Sequence, residues 1–147
     1  MRVLFLTHRL PYAADRGDRL RALHILQRLA PQVDVDLLSL VHDEDERSHA
    51  SDLRHLAASV TVVPVSRMRG YVRALAALPT ERPFTHAMLY SPEVVVGCRA
   101  LVASCPPDVV LAYCSGMARF ALEEPLAGIP LVLDMVDVDS EKWKTLG

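Results

Sequence analysis

A chain of 147 residues, 51% hydrophobic and 23% charged, is long enough for one domain with a sizeable core. No apolar run approaches the ~18 residues of a membrane span, and Arg9 with the turn that follows interrupts the first apolar run too early for a signal-peptide layout. A formal charge of −2 and basic residues without accompanying aromatics speak against a nucleic-acid surface. The charge is uneven, since residues 1–30 carry six Arg against Asp15 and Asp18, and Arg supplies 14 of the 16 basic residues. Cys98, Cys105 and Cys114 are odd in number and lack CxxC spacing. They read as reduced packing residues of a cytoplasmic protein, with no metal site.

Val3 to Leu6 is a continuous apolar run, which suits a strand buried on both faces. Pro11 and Asp15-Arg16-Gly17 stop it. Ala22, Leu23, Ile25, Leu26, Leu29 and Ala30 then recur at helical spacing, with Asp15 placed to cap that helix. Val33 to Val41 predicts a second strand, polar at its start and buried at its end. His42 to Glu46 reads as a solvated acidic turn into a helix from about Arg47 to Ala58. Val60 to Val65 predicts a short third strand, and Pro64 places it at or near a sheet edge because proline donates no ladder hydrogen bond.

Arg67 to Leu78 predicts a helix with Met68, Tyr71, Val72 and Leu75 on one side and Arg67, Arg69 and Arg73 around the other. Ser91 fits a cap and Pro92 a first helical position for a helix to about Ser104. Val109 to Tyr113 predicts a fourth strand, Met117 to Leu122 a short helix, and Leu131 to Val136 a fifth strand. Asp137 begins a last helix, which reaches Gly147 without a closing strand, so the chain reads as a fragment. Strands alternating with helices predict an α/β domain, a parallel sheet of about five strands with helices on both faces.

The segments His8-Arg-Leu-Pro-Tyr12, Asp15-Arg-Gly-Asp-Arg19, Pro107-Asp-Val-Val110, Ser115-Gly-Met117 and Leu133 to Trp143 together resemble the N-terminal half of a family 4 glycosyltransferase, of the subgroup associated with exopolysaccharide and exosortase systems. The resemblance implies one Rossmann-like half of a GT-B fold over residues 1–147, with the nucleotide-sugar domain outside this chain. It implies the acceptor-binding domain of a retaining sugar transferase in surface polysaccharide assembly. The implied partners are a nucleotide-sugar donor and a glycan or lipid-linked acceptor, with no cofactor or active-site metal. The alternative is a stand-alone Rossmann or flavodoxin-like nucleotide-binding domain, although the first turn lacks G-x-G-x-x-G.

The candidate substrate-binding residues are Arg16, Gly17, Asp18, Arg19, Tyr113 and Ser115. Gly17 matches one of two adjacent glycines in relatives of that family, and Asp18 stands in the other's place, where a carboxylate suits hydroxyl recognition better than pyrophosphate. The alternative for this loop is a capped helix start, and for Tyr113 a buried residue closing its strand. Asp134 lies inside an apolar strand and requires a partner there. Asp137 is the candidate catalytic residue, orienting or deprotonating an acceptor hydroxyl, while Asp139 suits a helix cap. His8 is the one histidine placed near the cleft. Arg67, Arg69 and Arg73 form a candidate contact with the inner face of the plasma membrane, against the alternative of ordinary core packing with arginines left in water.

Overall fold

A computed structural model describes residues 1–12, 17–65 and 91–135. Five strands, β1 (Arg2–Thr7), β2 (Asp34–Val41), β3 (Ser59–Pro64), β4 (Val109–Tyr113) and β5 (Leu131–Asp134), form one sheet in the order β3-β2-β1-β4-β5. All four pairings are parallel. This is the α/β, Rossmann-like architecture that the alternation of elements predicts. The helices are α1 (Gly17–Leu29), α2 (Glu44–Ser48), α3 (Pro92–Ser104) and α4 (Ser115–Leu122), with a 3-10 turn at His49–Leu53. The helix expected from Arg47 to Ala58 is thus a short α-helix followed by that turn.

Strand β1 is central, so its backbone groups are paired on both sides, and Val3 to Thr7 are buried. Alternate residues serve two cores. Leu4 and Leu6 join Leu38, Leu40, Val110, Ala112 and residues of α3 and α4. Phe5 joins Leu37, Tyr113 and the α1 residues Ala22, Leu23 and Leu26 on the other face. Burial on both faces explains why the strand reads as a continuous apolar run without alternation. Strand β3 is an edge, as Pro64 requires, and β5 is the other edge, where Val132 and Leu133 remain exposed.

At the amino end of the sheet, the Arg2 guanidinium donates through two nitrogens to Asp36, which is 2% exposed and also accepts from the Ser59 hydroxyl. The Asp108 carboxylate accepts from the Arg2 amide at 2.6 Å. These contacts tie β1, β2, β3 and the start of β4 together at the end opposite the loops discussed below. A buried carboxylate is tolerated there because every oxygen has a partner.

Helix α3 lies close over β2 because Gly97 has no side chain. A Cβ at Gly97 would stand 3.0 Å from Leu38 Cδ1, and Leu38 is fully buried. Gly97→Val should therefore cost about 1–3 kcal/mol through overpacking, measured as a lower urea midpoint at unchanged m-value.

Candidate functional site

The sheet order reverses between β1 and β4, since chain crossovers go one way to β2 and the other way to β4. Open α/β sheets bind ligands in the crevice beyond the carboxyl ends of the strands at this reversal. Here it is lined by His8 after β1, the first turn of α1, and the Tyr113-Cys114-Ser115 corner after β4. The His8 ring stacks on Tyr113 with centroids 6.0 Å apart and planes 9° off parallel. Its Nε2 stands 3.7 Å from an Asp18 carboxylate oxygen, and its Nδ1 is buried without a hydrogen-bond partner. The Tyr113 hydroxyl donates to the Asp18 carbonyl at 2.8 Å, fixing the start of α1 over the end of β4.

Burial lowers the pKa of the His8 imidazole from its ordinary value, with the Asp18 carboxylate opposing and Arg9 and His42 adding to the shift. Burial likewise pushes the Tyr113 phenol up to about 12, so it stays a neutral donor. Cys114 has φ +79 and ψ 157, a region that non-glycine residues rarely occupy. It is held there from both sides. Its amide donates to the Asp134 carbonyl at 3.0 Å, and its carbonyl accepts from Met117 and Ala118 in the first turn of α4. Strain at the exact corner that borders the crevice marks it as a functional candidate.

The loops after β1 and β2 are joined by Glu46. Its side chain is fully buried and accepts from the backbone amides of Leu10 at 3.0 Å and His42 at 2.8 Å. The Arg19 and Arg9 guanidinium groups stand 3.5 Å and 3.9 Å from it. Arg19 also donates to the Tyr12 hydroxyl and lies 4.8 Å from the centre of that ring, whose other neighbour is His49, stacked at 4.3 Å. The His42 Nε2 is 3.0 Å from the His8 carbonyl oxygen. Glu46 thus corrects the expectation of a solvated acidic turn at His42 to Glu46: two amides and two arginines make an internal seat for one carboxylate.

Along the outside of α1 runs an open groove of about 480 Å³, lined by Gly17, Leu20, Arg21, His24, Ile25, Arg28 and Leu29. At one side of it the Arg21 Nη2 donates to both oxygens of Asp134 at 2.8 and 2.9 Å. This is the partner that a carboxylate at the end of an apolar strand requires.

Of the residues predicted from sequence, Asp18 and Tyr113 come together at the crevice, Gly17 begins α1 next to Asp18 and lines the groove along that helix, and Ser115 begins the helix on the crevice's far side. Arg19 is 8% exposed and engaged with Glu46 and Tyr12 inside the protein. Arg16, Arg67, Arg69, Arg73, Asp137 and Asp139 lie outside the described residues. Sequence reasoning missed Glu46, because a run of four acids looks like a wet turn. It also missed the stripe of Arg21, His24 and Arg28, although their i, i+3, i+7 spacing was there to read. Among the described residues no helix is long and apolar enough to cross a membrane, and no group of three or more His, Cys, Asp or Glu side chains is arranged to hold a metal ion.

No protein-family model and no solved structure matches the chain significantly. A relative from rice (Oryza sativa subsp. indica), an inositol-tetrakisphosphate 1-kinase 4, is 37% identical over 127 residues, which is 83% of this chain and 32% of the relative. The chain therefore spans about a third of that relative's length. This similarity overturns the expected function. That relative is named as a kinase, which speaks against both an acceptor-binding domain of a glycosyltransferase in exopolysaccharide synthesis and a nucleotide-binding domain without activity.

Two consequences of this geometry are measurable. Glu46→Ala leaves the buried Arg19 guanidinium, the partly exposed Arg9 and two amides without this acceptor, and should cost about 3–5 kcal/mol of stability in chemical denaturation. His8, whose folded-state pKa lies below the unfolded value, imposes no penalty above that unfolded value. As pH falls below ~6.5 the unfolded chain takes the proton first, so stability declines until the folded pKa is passed. The melting temperature should accordingly drop more steeply from pH 7 to 5 in the wild type than in His8→Asn. An imidazole that titrates by NMR at or above ~6.5 would contradict the assignment.

Proposed function

We propose that this chain is the Rossmann-like part of an enzyme that transfers a phosphoryl group to a phosphorylated cyclic polyol. The observation that carries the reading is the 37% identity over 127 residues to a protein named as an inositol-tetrakisphosphate kinase. The geometry supports it in a second way. Phosphoryl transfer asks the protein chiefly for positioning and electrostatic stabilisation, and the crevice between β1 and β4 supplies rigid groups for positioning. In this reading the Asp18 carboxylate accepts a hydrogen bond from an acceptor hydroxyl, and the backbone at Gly17 lets the substrate come close. Ser115 contributes a hydroxyl from the start of α4. Tyr113 holds the first turn of α1 in register with the strand ends through its bond to the Asp18 carbonyl.

The test is phosphoryl transfer by the protein as encoded. With ATP, Mg²⁺ and an inositol tetrakisphosphate it should release ADP and form a more highly phosphorylated inositol. Asp18→Asn should lower kcat/KM about tenfold, the value of one hydrogen bond to a charged group. ADP release by folded protein that is no faster with the inositol phosphate than without it would overturn the reading.

A further inference from the structure

We infer that the groove along α1 is a binding site for a phosphate-bearing small molecule, with Arg21, His24 and Arg28 as its donors and Asp134 as the residue that positions Arg21. The choice of ligand rests on the function proposed above; the location rests on the groove itself. Its volume, about 480 Å³, falls within the ~300–1,000 Å³ of small-molecule sites. Its lining is amphipathic in an ordered way. Gly17, Arg21, His24 and Arg28 recur at i, i+4, i+7 and i+11 and form one stripe down the helix, flanked by Leu20, Ile25 and Leu29.

The stripe contains no carboxylate, although Asp18 belongs to the same helix. All three basic side chains belong to exposed residues, and no acidic residue pairs with His24 or Arg28 among the described residues. Arg21 to Arg28 spans about 10 Å along the axis at ~1.5 Å per residue. A compact body with anionic groups on more than one side would meet basic groups at both ends of the stripe and apolar side chains along its flank.

Asp134 has a defined part in this. It engages Arg21 through Nη2 alone, at 2.8 and 2.9 Å. The guanidinium is therefore held at the end of β5 while its N–H groups on Nε and Nη1 are left out of that pair. An arginine on a flexible stem loses rotamer entropy when it binds, and a fixed one loses less. Asp134 is only 18% exposed while Arg21 is 54% exposed, so the strand supplies the rigid member of the pair and the helix the mobile one. Asp134 is a positioning residue, and Arg21 touches the ligand.

The experiment is isothermal titration of the protein as encoded with three probes: inositol hexakisphosphate, inorganic phosphate, and phosphatidylcholine vesicles doped with phosphatidylinositol phosphate. The expected result is binding of the hexakisphosphate that weakens with added salt, as exposed charge pairs do. His24→Gln and Arg28→Gln should each reduce affinity about three- to fivefold and leave the melting temperature unchanged, because both side chains are exposed. Asp134→Asn should weaken binding in the wild type but not on an Arg21→Gln background, the non-additivity that a positioning role requires. Unchanged hexakisphosphate affinity in the His24→Gln, Arg28→Gln double variant would overturn the inference, and so would binding to the vesicles with none to the soluble probe. Phosphoryl transfer assayed in parallel keeps the two readings apart. Wild-type turnover with a silent double variant removes the groove alone, and groove-dependent binding without any turnover removes the proposed kinase activity alone.

Discussion

The arrangement depends on one strand having two parallel neighbours. Strand β1 pairs with β2 on one side and β4 on the other, in registers that place Thr7 beside both Ser39 and Tyr113. A parallel pair needs a crossover, and crossovers are right-handed, so α1, between β1 and β2, and α3, before β4, lie on opposite faces. The two cores seen on either side of the sheet follow from this. So does the crevice, because α1 and α4, the helices that follow β1 and β4, pack on opposite faces.

Around that crevice the chain spends polar groups where an apolar core would be simpler. Glu46 is fully buried among two amides and two arginines, and Cys114 adopts a backbone conformation that suits glycine. A buried charge cluster is weak ground for stability in its own right, since well-packed apolar residues often do as well. What the cluster does achieve is geometric. It binds the loop after β1 to the loop after β2, while Tyr113 binds the start of α1 to the end of β4. The walls of the crevice are thereby fixed relative to one another by hydrogen bonds with direction, which dispersion contacts lack.

The similarity to a protein named as an inositol-tetrakisphosphate kinase over most of the chain stands beside segments that resemble a sugar transferase. A strand run, a Gly-containing turn and a capped helix are requirements of the parallel α/β fold and recur in enzymes of unrelated chemistry. Chemistry is carried by particular side chains facing a common space. In this chain the side chains that face a common space are His8 and Asp18 in the crevice and Arg21, His24 and Arg28 along the α1 groove.

Local information was sufficient for the five strands, for three of the four described α-helices and for the parallel α/β class. Apolar runs of four to six residues declared buried strands, Pro64 declared an edge, and Asp134 inside an apolar strand declared a partner, which proved to be Arg21. These are statements about single segments, and periodicity or the cost of an unpaired charge decides them without knowledge of neighbours. Tertiary structure alone decided the rest. Glu46 and Asp45 stand side by side in one acidic run, yet Glu46 is fully buried, because what settles its environment is the approach of Arg9, Arg19 and the Leu10 amide from 27 or more residues away. Arg19 and Arg21 are likewise two residues apart on one helix. The first turns inward to Glu46 and Tyr12, the second outward to Asp134 and the groove. A helical rotation of about 200° separates them, but which direction counts as inward is set by where the sheet lies, and no stretch of sequence contains that.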